Sequence, residues 1–98
     1  MCIDEFDGFE WDEAKNDWNV RVRNLDFEDA ARIFGDETAC VTSRSLQQHD
    51  EERYLTLGAM DGDLLLVIWT PRWRIRRIIS ARRASRKERN GYRQAGNT

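Results

Sequence analysis

The sequence contains only two cysteines and one histidine, and it has no long apolar run. Its two cysteines, Cys2 and Cys40, are far apart and form no CxxC pair, so they predict free thiols in an intracellular, reducing compartment rather than a disulfide scaffold. The single histidine, His49, has no neighbours at metal-ligand spacing, which argues against a structural zinc site. The longest apolar run, residues 64–69, is far shorter than the roughly 18 residues of a transmembrane helix. We therefore predict a cytoplasmic protein with no cofactor, no metal site and no membrane partner.

Positive charge is concentrated at one end of the chain. The 98 residues carry a formal net charge of −2. However, residues 1–70 hold 17 acidic and six basic side chains, whereas residues 71–98 hold ten basic side chains and one acidic. Such a basic segment is typical of a surface that binds a polyanion or an acidic protein. The alternative is that the two parts neutralise each other across one fold. The length predicts a single domain, 1–98, with a frayed tail from about residue 95.

The first part of the chain has the spacing of two helices. The first is predicted over residues 12–23, with Asp12 as its N-cap. Its predicted buried stripe consists of apolar residues at i, i+4 and i+8, namely Ala14, Trp18 and Val22. The second helix is predicted to begin after the N-cap Asp26 and to end at Gly35.

From about residue 38 the apolar period changes from helical spacing to alternation. Strands are predicted over residues 38–42, 54–59, 64–70 and 74–81, with a short first strand around residues 6–11. Asp61-Gly62 predicts a hairpin turn, residues 43–52 a polar loop, and Pro71 the end of a strand. A last helix is predicted over residues 85–94. The short links between strands predict an α+β fold, with an antiparallel sheet of four to five strands and the helices on one face.

The predicted last strand is surrounded by arginines: Arg72, Arg74, Arg76, Arg77, Arg82 and Arg83. A buried unpaired charge is costly, so these side chains face water, acidic partners or phosphates. Arg77 shares the alternating face of Ile75 and Ile79, which makes an inward ion pair with Glu10 or Glu52 one possible interpretation.

Four segments of the chain occur in the order and spacing of one protein family: Phe9-Glu10-Trp11-Asp12, Phe27-Glu28-Asp29-Ala30, Glu52-Arg53-Tyr54, and the specific block from Arg77 to Ala84. In these segments the chain resembles the BrnT family of type II toxins, which are ribonucleases of the RelE-like superfamily. The family usually carries His-Gly after the first helix, where this chain has Arg23-Asn24. Asparagine can adopt the left-handed conformation of that glycine at modest cost.

The resemblance implies RNA cleavage without a metal, by attack of the 2′-hydroxyl on the adjacent phosphorus. Arginine suits the charge that develops, because its planar fork binds phosphate oxygens bidentately and keeps its proton. Matching family positions give the candidate phosphate ligands Arg72, Arg77 and Arg82, and the candidate proton carriers are Glu52, Lys15 and His49. Each carrier has a structural alternative: Glu52 in a strand-edge charge pair, Lys15 on a solvated helix face, and His49 in a solvated loop.

Two functions of different class therefore remain. The first is an endoribonuclease toxin that an antitoxin inactivates, and the second is a non-catalytic module that binds the antitoxin or RNA. By resemblance the partner is a BrnA-type antitoxin with a ribbon-helix-helix DNA-binding part, so operator DNA is bound only through the antitoxin. Trp69 and Trp73 flank Pro71 and either stack on RNA bases or pack in the core.

Overall fold

In the computed structural model, residues 6–35, 39–46 and 50–96 are described, and within them the chain forms a five-stranded sheet with three α-helices. The elements are β1 Gly8–Trp11, α1 Glu13–Arg23, α2 Phe27–Ala30 continued by a 3-10 helix Ala31–Gly35, β2 Val41–Arg44, β3 Tyr54–Met60, β4 Asp63–Arg72, β5 Ile75–Arg83 and α3 Arg86–Gly96. In this described part, no helix has the length and apolar character needed to cross a membrane.

The sheet is mixed rather than antiparallel. Its strand order is β1-β5-β4-β3-β2, and β2 to β5 form the predicted antiparallel meander. The prediction is wrong for β1, which pairs parallel with β5 from Gly8 opposite Ile75 to Trp11 opposite Ile78. The two strands are separated by most of the sequence, so no short turn constrains their relative direction.

The two faces of the sheet are defined by the alternation of β4. Leu65, Val67 and Trp69 belong to the buried core together with residues of α2 and the 3-10 helix, and we call this side the core face. The opposite side, which carries Leu66 and Thr70, we call the outer face. The helices do not all lie on one side as predicted, because α3 lines a cavity together with the outer-face residues Ala59 and Leu64.

Most strand ends differ from their predicted positions, and the differences of two or more residues after residue 38 are in β2, β4 and β5. β2 begins at Val41 and includes Ser43 and Arg44, which were assigned to the loop; residue 38 lies outside the described residues. β4 continues through Pro71 to Arg72. The β3 pairing ends at Trp69, so beyond that point β4 has a strand on one side only and tolerates a proline. β5 extends to Arg83 instead of stopping at residue 81.

The predicted apolar stripe of α1 is wrong. All three of its members are exposed: Ala14, Trp18 with 44% exposure and Val22 with 59% exposure. The buried side chains of α1 are instead Asn16 and Asn19. Asn19 Nδ2 donates to the Leu25 carbonyl at 2.8 Å, and Asn16 Oδ1 accepts from Phe27 N–H at 2.9 Å. The buried face of α1 is polar because it satisfies backbone groups in the connection to α2.

The predicted N-caps, the end of the first helix and the hairpin turn are confirmed. The second helix is α-helical only to Ala30, and the last helix continues to Gly96 instead of ending at residue 94. Asp12 and Asp26 each accept a hydrogen bond from a backbone N–H two residues later. Asn24 ends α1 in the left-handed conformation, with φ of 54°. Asp61 and Gly62 both have positive φ, as a tight hairpin turn between β3 and β4 requires.

The interpretation of the cysteines needs a correction. Cys40 packs against the core just before β2, and it is disulfide-bonded in the structure. It is therefore not the free thiol that its isolated position predicted. Cys2, the other cysteine of the sequence, lies outside the described residues.

Candidate active site

The three candidate phosphate ligands lie on the same face of the sheet. Residues paired across an antiparallel ladder point to the same side. Arg77 is paired with Thr70, Arg82 is paired with Leu66, and Arg72 follows Thr70 by two positions on β4. All three arginines therefore belong to the outer face, away from α2.

A bulge in β5 is what brings Arg77 and Arg82 to one side. They are five positions apart in the sequence, so strict alternation would place them on opposite faces. The ladder is irregular between Ile68 and Trp69 of β4, and β5 has one extra residue there, Ile79. An extra residue in one strand reverses the alternation beyond it. The bulge thus places both guanidinium groups on the outer face.

Each of the three arginines has a carboxylate partner. The pairs are Arg72–Glu51 at 3.0 Å, Arg77–Glu10 at 2.8 Å and Arg82–Glu88 at 2.8 Å. The expected pairing of Arg77 with Glu10 is therefore present, but the Arg77 side chain is 34% exposed rather than buried. A partly exposed ion pair contributes about 0–1 kcal/mol. The free energy needed to break the Arg77–Glu10 pair is therefore small, so Arg77 can exchange the carboxylate for a phosphate.

The Arg82 pair is built differently, because it also fixes the start of α3. Both terminal nitrogens of Arg82 donate to the two carboxylate oxygens of Glu88, each at 2.8 Å. Glu88 also accepts from Ser85 N–H, while Ser85 Oγ accepts from Glu88 N–H, which is a capping box. The guanidinium of Arg82, helped by Ser85, lowers the pKa of Glu88 to about 2.

We expect this pair to give the protein an acid-dependent part of its stability. A carboxyl whose pKa is lowered by folding stabilises the protein fully above its ordinary pKa of 4.5, and that contribution is lost as the pH falls towards about 2. Because the pair is partly exposed, the contribution is about 1 kcal/mol or less. Urea unfolding across this pH range should show a larger loss in the wild type than in Glu88→Gln, because other carboxyls with a lowered pKa, such as Asp7 beside Arg74, are present in both proteins. Identical pH profiles for the two proteins would contradict this role for Glu88.

A cleft of about 480 Å³ opens on the outer face between β2, β3 and β5. The side chains that concern binding are three arginines and two serines: Arg44, Arg53, Arg82, Ser43 and Ser45. Among the described residues, the Nε of Arg53 is buried without a hydrogen-bond partner. Three guanidinium groups and two hydroxyls suit a phosphate group. Arg72 and Arg77 share the face but do not line the cleft.

Arg44 and Arg53 were not among the residues singled out from the sequence. Arg53 belongs to the family-like segment Glu52-Arg53-Tyr54, which was a usable signal. Arg44 was assigned to a loop, and only the extension of β2 places it at the cleft.

Of the candidate proton carriers that the structure describes, Glu52 contacts a cleft residue and Lys15 does not line the cleft. Glu52 binds the cleft residue Arg44 at 3.2 Å and accepts from the Tyr54 hydroxyl at 3.0 Å. This hydrogen bond raises the pKa of Tyr54. Lys15 is exposed on the first turn of α1 and is not among the described residues that line the cleft. His49 lies outside the described residues.

The chain matches the family model of the BrnT ribonuclease toxin of type II toxin-antitoxin systems over residues 11–88. This match covers most of the chain, including all three outer-face arginines, and it extends to Glu88, which holds Arg82. The chain belongs to the BrnT family. No curated protein gives a significant match. The resemblance found in the sequence is thus confirmed.

The position where this BrnT chain departs from the usual His-Gly has a structural role. Arg23 Nη1 donates to Ser80 Oγ at 2.8 Å and to the Ala81 carbonyl at 3.2 Å, and Arg83 donates to the Arg23 carbonyl. These bonds tie the end of α1 to β5. Asn24 then supplies the left-handed residue that the family's glycine would provide.

The charge asymmetry is largely neutralised along the sheet of this BrnT protein. Arginines from the basic part pair with carboxylates from the acidic part, in the pairs Arg72–Glu51, Arg74–Asp7, Arg77–Glu10 and Arg83–Asp63. The exposed cations Arg86, Lys87 and Arg93 of α3 have no ion pair within the described residues. Within the described residues, the unpaired positive charge that the basic part retains therefore includes these three cations of α3.

The two tryptophans that flank Pro71 have opposite environments. Trp69 is 5% exposed, and its indole N–H donates to Thr56 Oγ1 at 2.9 Å within the core. Trp73 is 89% exposed at the turn between β4 and β5. The core interpretation is confirmed for Trp69 and is wrong for Trp73.

Proposed function

We propose that this BrnT protein is a metal-independent endoribonuclease with a RelE-like fold, acting in the cytoplasm as a single domain. The observation that carries the proposal is the common placement of Arg72, Arg77 and Arg82 on the outer face beside an arginine-lined cleft. A surface with this many guanidinium groups suits a negatively charged backbone whose scissile phosphate gains charge during cleavage.

The proposed reaction uses the sugar's own hydroxyl as the nucleophile. Glu52 takes the proton of the 2′-hydroxyl, the 2′-oxygen bonds to phosphorus, and the bond from phosphorus to the 5′-oxygen breaks. We propose His49 rather than Lys15 as the group that returns a proton to the leaving 5′-oxygen, because Lys15 does not line the cleft. The arginines exchange their carboxylates for phosphate oxygens and hold the group in line. The products are a 2′,3′-cyclic phosphate and a 5′-hydroxyl.

The second candidate function is a non-catalytic module that binds its antitoxin or RNA. It is favoured by the engagement of Arg82, which already holds the start of α3 through two hydrogen bonds to Glu88. If Arg82 is only structural, the phosphate ligands are reduced to Arg72 and Arg77.

For either function we propose a BrnA-type antitoxin as the protein partner. Its ribbon-helix-helix part would bind the operator, so that the toxin reaches DNA only as part of the complex. Inhibition would follow if the antitoxin covers the outer face, because RNA needs the same arginines.

The test is cleavage of a single-stranded RNA by the purified protein in the presence of EDTA. We expect fragments ending in a 2′,3′-cyclic phosphate, and we expect added antitoxin to stop the reaction. The matched control is the same oligonucleotide with a 2′-deoxy sugar at the cleaved position, which lacks the nucleophile. Cleavage of the deoxy substrate, or activity only with an added divalent ion, would contradict the proposed chemistry.

A further inference from the structure

Trp73 occupies a position that the fold alone does not explain. It lies in the short turn between β4 and β5 with a φ of 58°, a left-handed conformation that is unfavourable for a bulky side chain. Its indole is 89% exposed, and no ring contact of Trp73 is found within the described residues. A small residue such as glycine or asparagine would form this turn at less cost. The exposed ring therefore suggests contact with a ligand.

Beside Trp73 lies a cavity of about 630 Å³ at the end of the sheet. Its apolar lining is formed by Phe6, Tyr54, Trp69, Pro71 and Trp73. Its polar lining consists of two hydroxyls, two arginines and one carboxylate: Thr42, Ser43, Arg44, Arg74 and Glu52. The volume lies within the range of sites that hold small organic molecules. Flat aromatic walls with polar groups at the rim suit a planar ring that has hydrogen-bonding edges. A nucleobase has this chemistry.

The cavity lies on the core face, where Tyr54 and Trp69 line it, and it meets the outer-face cleft at the edge strand β2. Ser43 and Arg44 line both spaces, because β2 is the last strand of the sheet and its end is accessible from either side. RNA that crosses the edge of β2 would have a phosphate in the cleft on one face and a neighbouring base in the cavity on the other. Arg72 and Arg74 precede and follow Trp73 in the sequence, and their positive charge can attract the phosphate backbone of the same RNA.

We propose that this cavity holds one unpaired nucleobase of the RNA, stacked on the indole of Trp73. The inference rests on the proposed ribonuclease function and adds to it a binding subsite for one unpaired base. A base within a duplex is stacked and paired, so it reaches the cavity only at the cost of being extruded. Trp73 is then a specificity-determining residue rather than a catalytic one.

The experiment measures binding of short RNAs that carry 2′-deoxy sugars at the cleaved position, so that binding is separated from chemistry. Loss of one base–aromatic stack typically weakens binding about 10-fold or more. We expect that loss for Trp73→Ala, with most of the affinity retained by Trp73→Phe. Trp18→Ala is the matched control, because it removes another exposed tryptophan, on α1. It should leave the dissociation constant unchanged.

A second arm identifies the base itself. An abasic site moved along the oligonucleotide should weaken wild-type binding most at one position. At that position, Trp73→Ala should cause no further loss, because both changes remove the same stack. Equal losses from Trp73→Ala on abasic and intact RNA would overturn the inference, as would unchanged RNA binding combined with weakened antitoxin binding. Wild-type protein that neither binds nor cleaves RNA would instead refute the proposed function itself.

Discussion

Arg77→Ala is expected to lower the rate of RNA cleavage by about 100-fold or more, the usual effect of removing one transition-state donor. Its melting temperature should stay within a few degrees of the wild type, because the Arg77–Glu10 pair is partly exposed and contributes little to stability. Initial rates on a single-stranded RNA and thermal unfolding of the same preparations provide the two measurements.

The matched control for Arg77 is Glu10→Gln. This change breaks the same ion pair but keeps the guanidinium group, and the neutral amide no longer competes with phosphate for it. If Arg77 binds the scissile phosphate, Glu10→Gln retains the cleavage rate. If both variants lose activity together with melting temperature, the pair is structural and the proposed site loses its best-supported ligand.

Association with the antitoxin is expected to depend strongly on salt. The exposed cations of α3, including Arg86 and Lys87, have no ion pair within the described part of the chain, so they remain available to attract an acidic partner. We expect the association rate to fall about 10-fold or more between roughly 0.05 M and 0.5 M salt. The double substitution Arg86→Gln/Lys87→Gln should lower the rate at low salt and flatten its salt dependence, as measured by stopped-flow mixing.

The control removes the same amount of charge from elsewhere on the surface, with Arg21→Gln and Arg32→Gln. Both side chains are exposed, on α1 and on the 3-10 helix. If the control slows association as much as the α3 variant does, the effect comes from net charge alone. If neither salt nor the α3 substitutions change the rate, the basic helix belongs to RNA binding rather than to the antitoxin.

Predictions that depend on neighbours in sequence agree with the structure. Asp12 and Asp26 cap helices, Asn24 ends one, and Asp61-Gly62 forms the hairpin turn. Each of these features is set by bonds or dihedral angles within a few residues. The family resemblance is local in the same sense, since it follows from short segments read in order.

Predictions of which side of a helix or strand is buried are less successful. Alternation grouped Arg77 with the neighbouring isoleucines as a possible inward charge. The buried arginine of β5 is instead Arg76, which is 6% exposed and lies over the rings of Phe6, Phe34 and Trp69. Alternation shows that adjacent residues differ in side, but it does not show which side is the core.

The sequence by itself determined the N-caps of α1 and α2, the end of α1, the meander of β2 to β5, the family, and the types of residue available for binding phosphate. Only the tertiary structure decided that β1 is parallel, that Asn16 and Asn19 are buried, and that the bulge at Ile79 brings Arg77 and Arg82 to the same face. The physical reason is the range of the interactions. Caps and turns are formed by adjacent residues, whereas strand direction, face and cleft depend on contacts between segments that are distant in the chain and are fixed only when the whole core packs.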